Sequence, residues 1–403
     1  MNKKESYKGY ESYSYLKKGI DYKEFKLAKE INRVEPYIIP LDNHQEKKFK
    51  DFVNNNLIIS LHDHPIVIPE DISELMQYER AGKEHMAYEG LSDSCIDAIF
   101  DNMMDGTCVI SSDAGWKWVD VIHDIGMRSC DIEHQDFVIK GYGIEDIYRA
   151  KSEGKIAWFI SLESSTMIEN EVDRLDILYG LGVRIMGITY SESNSLGSGL
   201  KEKRDGGLTS FGRKAVDRMN TLGIAVDVSH CGVQTALDTI EYSKKPIFIT
   251  HTGARGLWDM NRLMPDEVFI ACAEKGGVIG IEAAPHTTVT KAHKSHSIES
   301  YMEHFEYIKN LVGIDHLAFG PDALYGDHVG LHNLFSSNMS ISEGMKSHDT
   351  GYDKIEYVKG MENPSEAITN IIRWLIKNNY TEEDMKKVLG TNVIRVLKQV
   401  WVK

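Results

Sequence analysis

The feature that most constrains the fold is a regular alternation between short apolar runs and longer amphipathic segments. Eight runs rich in β-branched residues recur after residue 56: 57–61, 107–111, 156–162, 183–189, 224–229, 246–250, 277–281 and 316–320. Each run is apolar throughout, as expected of parallel strands covered on both faces. The segments between them, such as 210–222 and 298–312, have helical spacing. Eight strand–helix units predict an α/β fold, a (β/α)8 TIM barrel, whereas an open doubly wound sheet is the alternative.

The ends of the chain have a different pattern. Residues 1–56 are polar and Tyr-rich, and we predict an N-terminal extension that packs on the barrel of 57–403. Two further helices are predicted after the eighth strand, over 364–378 and 381–402, and Thr381 followed by Asp384 marks the start of the second.

Composition excludes several classes of protein. The chain of 403 residues carries 46 basic and 61 acidic residues, a formal charge of −15 that disfavours nucleic acid and membrane surfaces as partners. The five cysteines are scattered without a CxxC pair, which is typical of a reducing compartment. The Lys/Tyr-rich start has no apolar signal region, and no apolar run approaches the ~18 residues of a membrane span. We therefore predict a cytoplasmic protein.

Side chains of the kind that bind metals follow five of the eight runs. These positions are His62 and His64 in the first strand, Glu163 after the third, His230 after the fifth, His251 after the sixth and Asp322 after the eighth. The active site of such a barrel lies at the carboxyl ends of its strands. Because side chains two apart on a strand point the same way, His62 and His64 can both face the barrel axis while Asp63 faces outward.

Four histidines and two carboxylates are more than one tetrahedral ion needs. Imidazole and carboxylate groups are the usual ligands of Zn²⁺, although Mn²⁺, Co²⁺ or Fe²⁺ could also occupy such a site. Two ions about 3.5–4 Å apart that share a carboxylate would use all six side chains. The sequence therefore predicts a site for two divalent metal ions.

The sequence resembles the membrane (renal) dipeptidases, peptidase family M19 of the amidohydrolase superfamily, from about residue 57 onward. The segments that carry this resemblance are LHDHP (61–65), SLES (161–164), GGLTSFGRKAVDRMNTLGIAVDVSH (206–230), KPIFITHTGAR (245–255), NRLMPDEV (261–268), LAFGPDAL (317–324) and LGTNVIRVL (389–397). The family is a (β/α)8 barrel with two zinc ions that cleaves dipeptides and related amides, and dimers are common in it. The resemblance therefore implies the same fold and chemistry here, and a homodimer.

The resemblance also implies roles for individual residues. Glu163 would bridge the two metals, with His62, His64 and Asp322 near one ion. His230 and His251 would lie near the other ion. Arg262, in NRLMPDEV, matches the arginine that receives the free carboxylate of the substrate.

Two positions depart from the family pattern. The first motif is usually His-x-Asp, whereas His64 here places an imidazole where the family has a carboxylate. The family also has a catalytic histidine after strand 4, and Tyr190 takes that place. A tyrosine hydroxyl can donate a hydrogen bond to substrate or oxyanion, but it cannot carry a full positive charge.

The leading hypothesis is a two-metal amide hydrolase that cleaves dipeptides or N-acyl amino acids by attack of a metal-bound hydroxide. Asp322 would act as general base and then acid. One alternative is another reaction of the superfamily, namely lactone or phosphoester hydrolysis or deamination. The branch of the superfamily with a carboxylated lysine needs a Lys near strand 4, and 183–190 has none. The other alternative is a non-catalytic binding barrel, which the retention of all six ligand-type residues disfavours.

Overall fold

The computed structural model describes residues 4–103, 117–338 and 354–402. Eight of its strands correspond to barrel strands: β1 (Ile59–Val67), β3 (Ala98–Asn102), β5 (Ile156–Leu162), β6 (Val183–Gly187), β7 (Ala225–Asp227), β8 (Phe248–Thr252), β9 (Val278–Ile281) and β10 (Leu317–Phe319). Three shorter strands accompany them: β2 (His85–Met86), β4 (Val138–Lys140) and β11 (Leu324–Tyr325).

The barrel strands are parallel and neighbour one another in chain order from β1 to β10. The ring closes through the segment after β10, because β11 pairs in parallel with β1. The Asp322 amide donates to the His62 carbonyl at 3.0 Å, and the His64 amide donates to the Ala323 carbonyl at 2.9 Å. Gly320 permits this approach, since a Cβ there would lie 3.0 Å from His62 Cβ. The predicted (β/α)8 barrel is therefore confirmed.

Helices cover the outside of the barrel. Those up to the last barrel strand are α1 (Asn43–Asn55), α2 (Leu75–Arg80), α3 (Tyr88–Asp93), α4 (Trp118–Ile132), α5 (Ile144–Glu153), α6 (Arg174–Leu181), α7 (Ser210–Leu222), α8 (Val233–Tyr242), α9 (Asp266–Glu274) and α10 (Ile298–Val312). Those after it are α11 (His328–Asn338), α12 (Pro364–Lys377), α13 (Glu382–Lys386) and α14 (Asn392–Val400).

Of the eight predicted strands, 156–162 coincides with β5, six are present with at least one shifted end, and the second is displaced. The run predicted at 107–111 lies outside the described residues, and the strand between β1 and β5 is β3 at Ala98–Asn102. The predicted helix over 381–402 is divided into α13 and α14 by a π-helical turn at Lys387–Thr391. Thr381 caps α13 as predicted, since its side chain accepts from the Asp384 amide.

Hydrophobic side chains pack on both the outside and the inside of the barrel. Outside it, side chains such as Ile99 and Trp158 pack against the helices. Inside it, Phe100 and Phe159 stack at 5.0 Å between ring centroids, and Trp401 packs 5.3 Å from Phe159. Helix α14 supplies the apolar plug, and its Asn392 donates to the carbonyl of Leu317 at the amino end of β10. The amino-terminal end of the barrel is therefore filled, which leaves the opposite end for chemistry.

The first 56 residues make specific contacts with the helical layer. The Tyr13 amide donates to Asp131 at 2.7 Å, and the Ile39 amide donates to Asn370 at 2.9 Å. In α1, Glu46 pairs with Arg373 of α12. A domain boundary at 56/57 stays a prediction. Within the described ranges, no helix combines the length and the apolar character that crossing a membrane requires.

Candidate metal centre

All six side chains predicted as metal ligands converge at the carboxyl ends of the barrel strands. His62 and His64 lie in β1 and His251 in β8, whereas the others follow β5, β7 and β10 directly or within three residues: Glu163, His230 and Asp322. Each of the six is at most 9% exposed. Three overlapping groups among the described residues have ligand-type atoms within 4.8 Å of one another: His62, His64 and Asp322; His62, Glu163 and His251; His251, Glu282 and Asp322.

A local irregularity in β1 affects the directions of the side chains in the first motif, His62-Asp63-His64. The pairing of β1 with β3 shifts register between Ser60 and Asp63, and such a bulge changes the direction of the side chains. Asp63 does not join the metal-type groups of the described residues. Its Oδ1 accepts from the Ala323 amide at 2.8 Å, and its Oδ2 accepts from Ser60. Asp63 therefore holds the backbone next to Asp322 in place through the Ala323 amide.

Glu163 lies between two pairs of histidines. Its Oε1 is 3.8 Å from Nε2 of both His62 and His64. Its Oε2 is 2.9 Å from His230 Nε2 and 3.9 Å from His251 Nε2. Each oxygen of one carboxylate thus faces a different pair of imidazoles.

Asp322 completes the side of the site that His62 and His64 occupy. Its Oδ1 lies 2.9 Å from His64 Nε2 and 3.5 Å from His62 Nε2. Its backbone φ of 58° is in the left-handed region, which is costly for a non-glycine residue and concentrates at functional sites. Burial pushes the pKa of Asp322 upward, but the adjacent imidazoles of His62 and His64 outweigh this effect and hold the pKa well below its usual value.

Hydrogen bonds on the far side of the rings set which imidazole nitrogen faces the centre. His64 Nδ1 lies 3.3 Å from the Asn102 carbonyl, which can only accept, so this nitrogen is the donor. His251 Nδ1 lies 2.8 Å from Thr250 Oγ1, which itself donates to Asp227 at 2.8 Å. In neutral His64 and His251, Nε2 therefore carries the lone pair, as in metal sites whose ligands are oriented by outer partners.

The arrangement fits bound divalent cations. Burial lowers the pKa of His62, His230 and His251, so these imidazoles are neutral at pH 7. Nε2 of His230 and Nε2 of His251 lie only 2.9 Å apart, and buried His62 Nε2 has no hydrogen-bond partner among the described residues. Burial also raises the pKa of Glu163 well above its usual value, so its anion needs positive charge nearby. Converging imidazole nitrogens and an uncompensated carboxylate are both stabilised by a metal ion.

Tyr190, predicted to take the place of the family's catalytic histidine, lies beside this cluster. Its ring stacks on the imidazole of His230 with centroids 4.2 Å apart and 27° between the planes. Burial raises the pKa of the Tyr190 phenol well above its usual value, so the hydroxyl keeps its proton. A protonated phenol can act as a hydrogen-bond donor and not as a charge.

Arg262, predicted to receive the free carboxylate of the substrate, is itself buried. Its guanidinium pairs through Nη2 with buried Glu282. Its Nη1 is buried without a hydrogen-bond partner among the described residues. Nη2 of the guanidinium is thus bonded to Glu282, whereas Nη1 can donate to a further acceptor.

Glu282 is a residue that the sequence interpretation missed. It follows β9 directly, in the position where ligand-type residues were noted after other strands, so the same signal was present. It is fully buried, and burial raises its pKa to about 7.

Comparison with known proteins assigns the family. The sequence profile described as membrane dipeptidase (peptidase family M19) matches residues 119–335 and 349–402, more than half of the chain. The chain belongs to the membrane dipeptidase family. The predicted resemblance is therefore confirmed, although the matched region begins after the first motif, His62-Asp63-His64.

Similar proteins include two that are described as dipeptidases. Dipeptidase tcpJ of Claviceps purpurea is 26% identical over 66% of this chain and 56% of its own length. Dipeptidase aclJ of Aspergillus oryzae is 26% identical over 71% of this chain and 60% of its own length. The chain thus matches somewhat more than half the length of these relatives. The crystal structure of an amidohydrolase from Pseudomonas aeruginosa is 26% identical, with a TM-score of 0.69 over 88% of this chain and 99% of that one.

Proposed function

We propose that this protein is a metal-dependent dipeptidase that holds two divalent ions and hydrolyses the amide bond of dipeptides or related N-acyl amino acids. The observation that carries the proposal is the position of Glu163, each of whose oxygens faces a separate pair of histidines. Membership of the membrane dipeptidase family supports the reaction class. A cytoplasmic location and a homodimer remain predictions from the sequence.

The proposed ligands divide into two sets that share Glu163. His62, His64 and Asp322 would hold the first ion, and His230 and His251 the second. When bound, a pair of divalent ions acidifies water and polarises an amide carbonyl. Zn²⁺ is the proposed metal because neutral imidazole and carboxylate are its usual ligands, and Mn²⁺, Co²⁺ and Fe²⁺ are alternatives.

Asp322 and Tyr190 are the proposed groups for proton transfer and charge stabilisation. With its pKa well below the usual value, Asp322 is ionised at neutral pH and can accept a proton from the attacking water. The same carboxyl can then pass the proton to the leaving amine. Tyr190, protonated and beside His230, would donate a hydrogen bond to the oxyanion that develops on the carbonyl.

Activity and metal content together test this proposal. Metal-replete protein should contain about two ions per chain, and a panel of L- and D-containing dipeptides and N-acyl amino acids should include substrates whose cleavage stops when a chelator removes the metal. Lactones and phosphoesters complete the panel. One ion per chain that added metal does not change would refute the two-ion form. Cleavage of only the lactones or phosphoesters would refute the dipeptidase activity.

Arg262 leads to a second expected result, a preference for substrates with a free carboxylate. Its unpartnered Nη1 can bind a carboxylate oxygen through a charge-assisted hydrogen bond. A dipeptide should therefore be cleaved with a kcat/KM about 10–100-fold above that of its C-terminal amide, a difference of about 1.4–2.8 kcal/mol. Arg262→Lys should reduce this ratio, because an ammonium cannot hold Glu282 and the substrate in the geometry of the guanidinium fork. Equal kcat/KM for acid and amide would show that Arg262 does not bind the substrate carboxylate.

A further inference from the structure

Glu282 has one satisfied and one unsatisfied oxygen in a fully buried position. Its Oε2 accepts from Arg262 Nη2. Its Oε1 has no hydrogen-bond partner among the described residues, and the side chain is 0% exposed. A buried carboxylate oxygen without a partner costs free energy, so Oε1 calls for a partner in addition to the one that Arg262 gives to Oε2.

The neighbours of Glu282 indicate which group that is. Ligand-type atoms of His251, Glu282 and Asp322 all lie within 4.8 Å of one another. His251 presents the lone pair of Nε2 to this space, because its Nδ1 is engaged by Thr250. One imidazole nitrogen and two carboxylate oxygens around one point form a donor set for a divalent cation.

We propose that Glu282 is a further metal ligand, binding one of the two proposed ions through Oε1 at the place where His251 of the second set and Asp322 of the first set meet. This inference rests on the proposed metal dependence of the site and extends its ligand set. Arg262 would then have a positioning role, since it holds Oε2 and directs Oε1 toward the metal. Carboxylates that ligate metals are themselves usually hydrogen-bonded by outer residues.

The charges of the site support this assignment. His64 contributes an imidazole to the first motif, where a carboxylate would contribute one negative charge. With Glu282 included, three carboxylates surround the proposed ions, namely Glu163, Asp322 and Glu282. Glu282, which directly follows β9, thus adds a negative charge to a site whose first motif, in β1, has an imidazole in place of a carboxylate.

A second buried glutamate that pairs with an arginine shows what a carboxylate with protein partners on both oxygens looks like. Glu362 pairs with Arg33 through Oε1, and its Oε2 accepts from the Val358 amide at 2.9 Å. Both oxygens therefore have protein partners, and Glu362 joins no metal-type group of the described residues. It is a matched control, because it too is a buried glutamate held by an arginine.

The experiment compares Glu282→Gln with Glu362→Gln. Apo forms of the two variants and the wild type are titrated with Co²⁺ against a chromophoric chelator, and the visible spectrum of each loaded protein is recorded. Glu282→Gln should weaken the binding of at least one ion by about 10–100-fold or more, the range found when even an outer partner of a metal ligand is lost. Its cobalt spectrum should also change, since an oxygen ligand is lost, while Glu362→Gln should keep both affinities and the spectrum.

Glu282→Asp provides a second variant in case the glutamine form does not fold. It retains the charge but withdraws the oxygen by one methylene, so it should also bind Co²⁺ more weakly than the wild type. Wild-type affinity and spectrum in whichever Glu282 variant folds would overturn the proposal, as would an equal loss in Glu362→Gln. These readouts do not depend on activity. A protein that binds Co²⁺ through Glu282 but cleaves no dipeptide would refute the proposed function and leave this inference standing.

Discussion

Glu163→Ala should remove both metal ions and abolish the proposed activity. One carboxylate faces His62 and His64 with one oxygen and His230 and His251 with the other, so its loss affects both halves of the site. Loss of an outer partner alone usually costs 10–100-fold in metal affinity, so removal of a shared ligand should weaken both ions by more than ~100-fold. Elemental analysis after dialysis against a weak chelator, with kcat/KM on the best dipeptide, measures both effects.

Two further variants make this result specific. Glu362→Gln, which removes another buried and paired carboxylate, should retain about two ions per chain. His230→Ala should lose mainly the ion proposed for His230 and His251, because its Nε2 faces only Oε2 of Glu163. If Glu163→Ala keeps one ion at wild-type affinity, the carboxylate does not bridge.

His64→Ala should empty the first metal position, whereas Asp63→Asn should leave the metal content nearly unchanged. His64 Nε2 lies 2.9 Å from Asp322 and 3.8 Å from Glu163, inside the cluster. Asp63 instead bonds the Ala323 amide and Ser60, and an asparagine can keep the first of these bonds through its own oxygen. We expect His64→Ala to lose about one ion per chain and most of the activity, measured by metal analysis and kcat/KM.

The converse substitution tests the charge argument at the same position. His64→Asp would add a negative charge to the first metal position and should hold its ion more tightly against a chelator. Thermal melts of the apo forms of all these variants show whether each one folds. This control is needed because Asp63→Asn changes the buried hydrogen bonds to the Ala323 amide and to Ser60. If Asp63→Asn releases the ion and His64→Ala does not, the assignment of the first motif is wrong.

Much of the site could be predicted because it depends on local regularities. A parallel strand buried on both faces is a short apolar run, and in a barrel the carboxyl ends of such runs meet at one edge. His251 lies in such a strand, and Glu163 directly follows one. Their convergence follows from the fold class without any knowledge of specific contacts.

The second strand shows where this reasoning failed. The run at 107–111 is apolar and β-branched, yet the strand that pairs with β1 and β5 is Ala98–Asn102, whose last two residues are polar. Asp101 is tolerated inside the sheet because Arg128 donates to it at 2.8 and 2.9 Å. The ion pair between Asp101 and Arg128 thus allows a strand that is not apolar throughout. Hydrophobic periodicity cannot predict such a pair, because its two residues lie in different elements.

By itself, the sequence determined the barrel, the six convergent ligand-type residues and the family, since each follows from a local run or a contiguous motif. Only the tertiary structure decided how Glu163 divides its oxygens between two histidine pairs, and that Arg262 pairs with Glu282, 20 residues away along the chain. The pattern of residues specifies which groups reach one end of a barrel. Their partners depend on distances between side chains from different strands, which exist only once the sheet has closed.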